Sequence, residues 1–432
     1  MGAAGWTEAD ALAALGEALQ FGIHPSLHGI RALTGALGRP QDALRCVQVT
    51  GTNGKTSVAR LAGALLAAEG ERVGVYTSPH LESYSERIAI DGEPAADAFP
   101  GAIGAAVEAA RSLGLTCTEF ELLTAATLLV FAQAGVRWAV LEVGMGGRWD
   151  ATSVVSPEVA VVTGVALDHT ERLGATVEAI AADKAHVIKA GSTAVLGPDC
   201  GPDALPALLE RAEEVGAPVV RVPTPAVTTS PDRPGGETTL DVAGARGTYA
   251  GLAVRAPAYQ ARNVAVAVAA AEAALGRALD ATAVRGALAA ATFPGRFELA
   301  AAAPALVLDG AHNPQAAAVL AEAIGEAFRG APPHLLLAVL ADKDAAGIVG
   351  SLAPMVSGFT CTRNASSRCL PAAVLAGVVE GVTGVQADAV DDLPAALERA
   401  REAGGEAGCV VTGSLYTVGE VRALLRGGDR SR

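Results

Sequence analysis

The residues with the clearest chemical purpose are Gly51, Thr52, Asn53, Gly54, Lys55, Thr56 and Ser57, which stand together in VTGTNGKTS between Val49 and Ser57. An apolar run ends at Thr50, a glycine-bearing turn follows, and helical periodicity resumes near Val58. Gly51 and Gly54 let backbone N–H groups face the β- and γ-phosphates of a nucleotide with no Cβ in the way. The helix N-terminus adds the positive end of a dipole, Lys55 a mobile cation and Thr56 a hydroxyl for Mg²⁺. The consensus phosphate loop is G-x-x-x-x-G-K-[ST]; this one is G-T-N-G-K-T, with a shorter gap between the glycines. A tight strand–helix turn that merely carries a lysine would not need strand, glycines, Lys-Thr-Ser and helix in that order. The loop implies a nucleoside triphosphate site and leaves open what the nucleotide is used for.

Four further groups could carry chemistry. Glu142 closes the apolar run WAVLEVG and precedes glycines at 144, 146 and 147. An acid at the C-terminal end of a strand beside a phosphate-loop strand is either a Mg²⁺ ligand or a solvated strand-end carboxylate. His169, in Asp168-His169-Thr170, closes the next strand and is either a ligand or a capping residue; Mg²⁺ prefers oxygen. Lys184 and Lys189 share IAADKAHVIKAG, where residue type alone points to surface cations. In the second half, GRFEL and LVLDGAHNPQA bring Arg296, Asp309, His312 and Asn313 into one neighbourhood of sequence. Asp309 could take a nucleotide ribose or base and Arg296 a phosphate; alternatively DGAHNP is a helix-capping turn.

These groups need elements to hold them. Cys46–Val49, RVGVYTS, Trp138–Gly144 and Glu158–His169 read as buried strands, separated by helical stretches such as Val58–Gly70, which closes on a glycine. The alternation implies an α/β fold with a mostly parallel sheet and helices on both faces. The segment before the first strand reads as helical. Pro223–Gly251 reads as a β-hairpin excursion or an exposed loop, and a long alanine helix runs from Ala261 to Leu275. Phe293–Leu299 reads as a hinge, because Pro294 and Gly295 interrupt the periodicity. A second alternating set follows, with strands in ALVLDG, HLLLAVL, GFTCT, VTGVQADAV and GCVVTGS and helices starting near Gln315, Ala345, Pro371 and Leu393. The expected domains are 1–294, an ATP-binding phosphate-loop domain, and 297–432, a smaller Rossmann-like α/β domain.

Composition narrows the class. At 432 residues the chain exceeds one compact core. Its mean hydropathy of +0.35 reflects alanine rather than a membrane span, since LLTAATLLVFA stops at Gln133, short of the ~20 residues a bilayer needs. MGAAGWTEADALAAL lacks the basic start of a signal peptide. Six scattered cysteines with no C-x-x-C pair argue against a disulfide framework or a zinc site and for a cytoplasmic protein. A formal charge of −14 argues against non-specific nucleic-acid binding, so anionic substrates must be held by local cations and backbone amides.

Taken in order, TGTNGKTS, TSPHLESYSERIAIDG, TEFELLTAAT, EVGMGGRWDAT, ALDHTERLG, YQARNVAVA, FPGRFE, LDGAHNPQA, LADKD and TGSLYTVGE resemble the folylpolyglutamate synthase/dihydrofolate synthase family of the Mur ligase superfamily. The series runs from residue 49 to about residue 420, nearly the whole chain. The resemblance implies a Mur-ligase-type central domain followed by a Rossmann-like one. The implied reaction is ATP-dependent amide formation between L-glutamate and dihydropteroate or a folate, through an acyl phosphate. It implies that Ser78, Glu142 and His169 hold Mg²⁺, and that Lys184 is carbamylated and serves a second Mg²⁺. Thr118, Phe120 and Asp150 would line the pterin pocket, with Phe120 stacking. Asn263, Arg296 and Asp309 would bind ATP from across the domain cleft, and His312 and Ser414 would lie near the incoming glutamate. Lys55, Lys184 and His312 are the implied catalytic residues, in a monomer.

Three positions depart from the family pattern. His186 follows the lysine segment where a glycine is usual, Ser153 replaces the asparagine of D-A-T-N, and Thr56 stands where many members have glycine. Competing readings are a Mur-type ligase acting on a different carboxylic acid and a catalytically inactive nucleotide-binding paralogue. A ligase for a UDP-sugar peptide would carry a UDP-binding domain ahead of the loop, whereas only about 50 residues precede Gly51, half a small domain.

Overall fold

The structure, a computed structural model, describes residues 5–22 and 25–429. The chain divides into two compact units: residues 1–225, 242–250 and 262–288 form one, and 226–241, 251–261 and 289–432 the other. Two segments ahead of the hinge expected at Phe293–Leu299, residues 226–241 and 251–261, therefore group with the C-terminal unit.

The first unit is built on eight strands: β1 (Arg45–Thr50), β2 (Val73–Tyr76), β3 (Ile88–Ile90), β4 (Glu93–Pro94), β5 (Trp138–Glu142), β6 (Val159–Gly164), β7 (Thr193–Asp199) and β8 (Val219–Arg221). Their order is β4-β3-β2-β5-β1-β6-β7-β8. From β2 to β8 every pairing is parallel, and β3 and β4 add an antiparallel edge. The β1 chain exits past β5 to reach β2, while β6 lies on its other side. The C-terminal end of β1 is thus a topological switch point, where open parallel sheets bind ligands.

A parallel sheet must be covered on both faces. One face packs on the helices Glu8–Ala18, Phe99–Leu113 and Glu119–Gln133 through Leu15, Ile103, Leu123, Phe131 and Leu141. Val143, Ala160, Val162, Ile180, Leu196 and Leu208 form a second cluster. The helix after β1 spans Lys55–Ala68, three residues earlier than apolar periodicity suggested. Lys55, Thr56 and Ser57 carry no periodic apolar signal, yet Gly54, at φ 82°, turns the chain into the helix directly ahead of them. All six cysteines are buried and unpaired.

The segment expected to be a hairpin or loop contains β9 (Ala226–Thr229), β10 (Thr238–Ala243) and β11 (Thr248–Val254), a three-stranded sheet in the order β11-β10-β9. The long alanine helix runs Gln260–Leu275. The C-terminal unit then forms β12 (Glu298–Ala302), β13 (Ala305–Leu308), β14 (His334–Leu337), β15 (Gly358–Cys361), β16 (Asp388–Ala389) and β17 (Cys409–Thr412), in the order β12-β13-β17-β14-β15-β16. Five of these strands run parallel, and β12 is antiparallel to β13. Part of the expected hinge, from Glu298, is therefore an edge strand, and Glu298 is tied to Arg422 of the last helix by an ion pair. Strands β3, β4, β7, β8 and β12 lie outside the runs singled out from sequence.

Gly74, in β2, lets the core ring of Phe131 lie against the strand: a Cβ there would stand 2.6 Å from the ring. Gly74→Ala should cost about 1–3 kcal/mol by overpacking, read as a lower urea midpoint. Phe131→Leu, added to it, should recover part of that loss.

Candidate active site

The phosphate loop is strapped to the sheet by its own polar groups. Thr52 N–H donates to Gly164 O at 2.9 Å, Thr52 Oγ1 donates to Ala166 O at 3.1 Å, and Thr163 Oγ1 donates to Asn53 O at 2.6 Å. Gly51, at φ 152°, leaves no room for a Cβ, which would collide with Thr163 Oγ1. A Cβ on Gly54 would likewise collide with Asn263 Oδ1, so the Asn263 carboxamide lies against the loop. Lys55 Nζ turns back on the loop and donates to Gly51 O at 3.0 Å and Thr52 O at 3.1 Å. The first turn of the Lys55–Ala68 helix therefore presents its N–H groups at the switch point, the arrangement that binds phosphate.

Beside the loop, the register of β1 and β5 places Glu142 opposite Val49. Glu142 is buried. Its Oε1 accepts from Thr56 Oγ1 at 2.8 Å, and its Oε2 accepts from Ser78 N at 3.0 Å. Three residues assigned from sequence, Thr56, Ser78 and Glu142, thus meet at one carboxylate, Thr56 through its hydroxyl and Ser78 through its backbone N–H. A carboxylate with a hydroxyl beside it is a donor set of the kind Mg²⁺ takes. Among the described residues no three His, Cys, Asp or Glu side chains converge as a metal group, so a cation here would rely on hydroxyls, one carboxylate and its own ligands. His169 sits beyond the end of β6, with φ 51°, and its Nε2 lies 3.8 Å from Asp168.

Lys184 is not the surface cation its residue type suggested. It is 4% exposed, and its Nζ donates to Gly51 O at 3.0 Å, the same carbonyl that Lys55 uses. Burial, reinforced by the neighbouring Lys55 charge, pushes its pKa down to about 7. The glycine-rich loop after β5 packs directly on the lysine's backbone. Asp183 Oδ1 accepts from Gly147 N at 2.9 Å, and a Cβ on Gly147 would stand 2.8 Å from Lys184 O. His186 instead turns its Nδ1 to Ala182 O at 2.9 Å. Lys189 is also structural: Nζ donates to Ser153 O and Val155 O, each at 2.6 Å.

Phe120 and Asp150 flank Gly144, where a Cβ would lie 2.8 Å from the ring and 3.2 Å from Asp150 Oδ2. Phe120 also approaches Tyr76 at 5.9 Å between ring centroids. Asp150 is buried; desolvation raises its pKa, opposed by hydrogen bonds from Thr152, Met145 and Gly144. Thr118 serves first as an N-cap: its Oγ1 accepts from Glu121 N at 3.2 Å in a capping box with Glu121.

In the C-terminal unit, Asp309 closes β13 and is buried. Oδ2 accepts from Phe297 N at 2.8 Å and Oδ1 from Ala311 N at 2.8 Å. Desolvation raises its pKa, opposed by the nearby Arg296 guanidinium. Phe297 adopts φ 51°, so Asp309 pins a strained turn that carries Arg296. His312 Nδ1 lies 2.7 Å from Gly310 O. Asn313 caps the Pro314–Ala327 helix, its side chain accepting from Ala316 N, so DGAHNP is a capping turn as well as an acid-bearing one. Ser414 is buried ahead of the last helix, and its Oγ accepts from Tyr416 N at 3.2 Å.

Sequence reading missed several residues. Tyr259 Oη donates to Asp309 Oδ2 at 3.4 Å. Arg87, buried, donates from Nε to His80 Nδ1 at 3.0 Å and pairs with Glu119 at 3.5 Å. Burial and that guanidinium hold the His80 pKa down to about 4. Gln48 lies fully buried within β1. None sits in a run whose spacing signals chemistry, although His80 and Arg87 fall within TSPHLESYSERIAIDG and Tyr259 opens YQARNVAVA.

Residues 49–201 match the Mur ligase middle domain, and residues 295–415 match the Mur ligase glutamate ligase domain. The chain is 36% identical to the dihydrofolate synthase/folylpolyglutamate synthase of Mycobacterium tuberculosis, over 93% of this chain and 90% of that protein. The M. tuberculosis folylpolyglutamate synthase crystallised with ADP and AMPPCP superposes with a TM-score of 0.90 at 35% identity, covering 97% of this chain and 99% of that one. E. coli FolC in complex with DHPP and ADP superposes with a TM-score of 0.85 at 29% identity, covering 98% of each chain. The phosphate loop, the Thr56–Ser78–Glu142 cluster and the buried lysine therefore lie in a chain that belongs to the folylpolyglutamate synthase/dihydrofolate synthase family of Mur ligases.

Proposed function

We propose that this protein is an ATP-dependent ligase that joins L-glutamate to dihydropteroate, a reduced folate, or both, acting as a monomer in the cytoplasm. The observation that carries the reading is the meeting of Lys55, Lys184 and the Thr56–Glu142 pair around the end of β1, in a chain of this family. No helix of the described residues is long and apolar enough to cross a membrane. The experiment that tests the reading is ADP release by the purified protein, which should require the pterin acid and glutamate together. No ADP release under any combination would favour the inactive-paralogue alternative, and release that needs a carboxylic acid other than the pterin acids would favour the different-acid one.

The reaction balances as two transfers. A carboxylate oxygen of the pterin acid attacks the γ-phosphorus of ATP, giving an acyl phosphate and ADP. The glutamate amine then attacks the acyl carbon, a proton leaves the nitrogen, and inorganic phosphate departs. The N–H groups of the phosphate loop bind the β- and γ-phosphates, and Lys55 moves from its two carbonyls to the transferring phosphoryl group, where negative charge accumulates. Thr56, Ser78, Glu142 and His169 would hold Mg²⁺, which would supply charge neutralisation at the phosphates. Lys184, as the carbamate, would supply an anionic oxygen pair on the same side. Asn263 with Arg296 and Asp309 are assigned to the nucleotide, His312 and Ser414 to glutamate, and Thr118, Phe120 and Asp150 to the pterin ring.

The buried Lys184 amine favours that modification. An amine with a pKa of about 7 is half neutral at pH 7, and only the neutral form attacks CO₂. Domain roles follow the expected boundaries, with the phosphate loop on the 1–294 segment and Asp309, His312 and Ser414 on the 297–432 segment.

Three measurements check this reading. Lys55→Ala should lower kcat at least about a hundredfold, the scale for losing one transition-state donor, with circular dichroism and melting temperature nearly unchanged; near-normal turnover would refute the nucleotide assignment. Phe120→Ala should raise KM for the pterin acid far more than KM for ATP, because stacked area is lost against one substrate only. Protein stripped of CO₂ at mildly acidic pH should regain activity on adding bicarbonate, and Lys184→Ala should be inactive but partly rescued by a short carboxylic acid. A bare lysine in electron density with metals and nucleotide bound would exclude the carbamate.

A further inference from the structure

Gln48 is a polar side chain in the middle of the central strand, opposite Leu141 of β5 and Ala160 of β6, and 0% exposed. Its Nε2 donates to Thr152 Oγ1 and to Ser153 Oγ, each at 3.0 Å. Its Oε1 is buried with no hydrogen-bond partner. Burying an unsatisfied carbonyl is costly, and a strand at this position ordinarily carries an apolar residue.

The two hydroxyls explain the amide. Thr152 Oγ1 lies 2.5 Å from Asp150 Oδ1, and Ser153 Oγ lies 2.6 Å from Gly147 O. A carboxylate and a peptide carbonyl only accept, so each hydroxyl must give its single proton in that direction. Each then needs an incoming donor, and the NH₂ of Gln48 supplies both. A flipped amide would compete for the same two protons and leave Asp150 and Gly147 without them. This fixes the orientation of Gln48 from chemistry alone and accounts for the orphaned Oε1 on its far side.

Both outputs of this relay reach the site. Thr152 holds Asp150 through its N–H, at 2.9 Å, as well as its hydroxyl, while Met145 N holds the other carboxylate oxygen at 3.0 Å. Ser153 holds Gly147, whose N–H is held by Asp183 next to Lys184. We propose that Gln48 is a positioning residue for the pterin pocket: its two N–H groups orient the Thr152 and Ser153 hydroxyls, which fix the Asp150 carboxylate and the glycine-rich loop. Ser153, the departure from D-A-T-N, is one of the two hydroxyls that this relay uses. The proposal rests on the assignment of Asp150 to the pterin ring.

The test compares KM for dihydropteroate, ATP and glutamate, together with melting temperature, in Gln48→Met, Thr152→Val, Thr152→Ser and the Gln48→Met/Thr152→Val pair. Methionine is close in shape and removes the orphaned acceptor along with the donors, so melting should shift little. KM for the pterin acid should rise roughly tenfold, the scale of one buried hydrogen bond, with KM for ATP within about twofold. The pair should fall short of the product of the two single effects, because both variants remove the same donation to the Thr152 hydroxyl while only Gln48→Met also removes the Ser153 arm. Thr152→Ser, which keeps that hydroxyl, should stay near the parent. Equal rises in all three KM values, or effects that multiply in the pair, would overturn the proposal. If Gln48→Met does not fold, the Thr152 variants decide: valine must raise the pterin KM and serine must not. Asp150→Asn separates two failures. A raised pterin KM there with none in Gln48→Met leaves the pocket standing and removes Gln48 from it; no change in either removes the pocket assignment and the proposal together.

Discussion

Two lysine side-chain nitrogens converge on one peptide oxygen. Lys55 and Lys184 both donate to Gly51 O, each at 3.0 Å, and a single carbonyl cannot neutralise two cations. Much of the site answers that crowding. The proton on Lys184 is held weakly, the first helical turn adds further positive potential, and the site is built to receive polyanions. In a chain with a net charge of −14 this is a local reversal of sign. It depends on Gly51 lacking a side chain and on Thr163 fixing the loop, so that the carbonyl points where both lysines can reach it.

The glycine-rich segment after β5 couples that arrangement to Phe120 and Asp150. Gly144 admits Phe120 and Asp150, Gly146 admits the Asp183 carboxylate, and Gly147 admits the backbone of Lys184. Three close approaches in four residues leave the loop little freedom, and Thr50 Oγ1 adds a bond to Gly146 O at 2.6 Å. A shift of Phe120 or Asp150 would therefore be felt at Lys184 as well, because all three rest on the same loop.

The sequence made the phosphate loop legible because its chemistry lies in consecutive residues, and the α/β class legible because buried strands and helices alternate. Other features depended on contacts that periodicity does not carry. Lys184 reaches across 133 residues to Gly51, and nothing local distinguishes it from an exposed lysine. Gln48 is hidden inside an apolar strand run, and its purpose appears only with Thr152 and Ser153 brought beneath it. The short edge strands β3, β4 and β12 and the sheet formed by β9 to β11 were obscured by turn-forming residues. Thr118 was assigned to the pocket by resemblance, while T-E-F-E carries its own signature of a helix start, which the structure realises.

The folded-back posture of Lys55 has a consequence for ligand choice. Its ammonium already has two good acceptors, Gly51 O and Thr52 O. A newcomer must offer something better than two neutral carbonyls before the lysine will leave them, and charge-assisted bonds to phosphate oxygens do so. Adenosine, which brings a base and a sugar but no anion, gives the side chain no reason to move. The same geometry favours an anionic phosphate over a neutral nucleoside, and without one the cation is kept satisfied on the protein's own backbone.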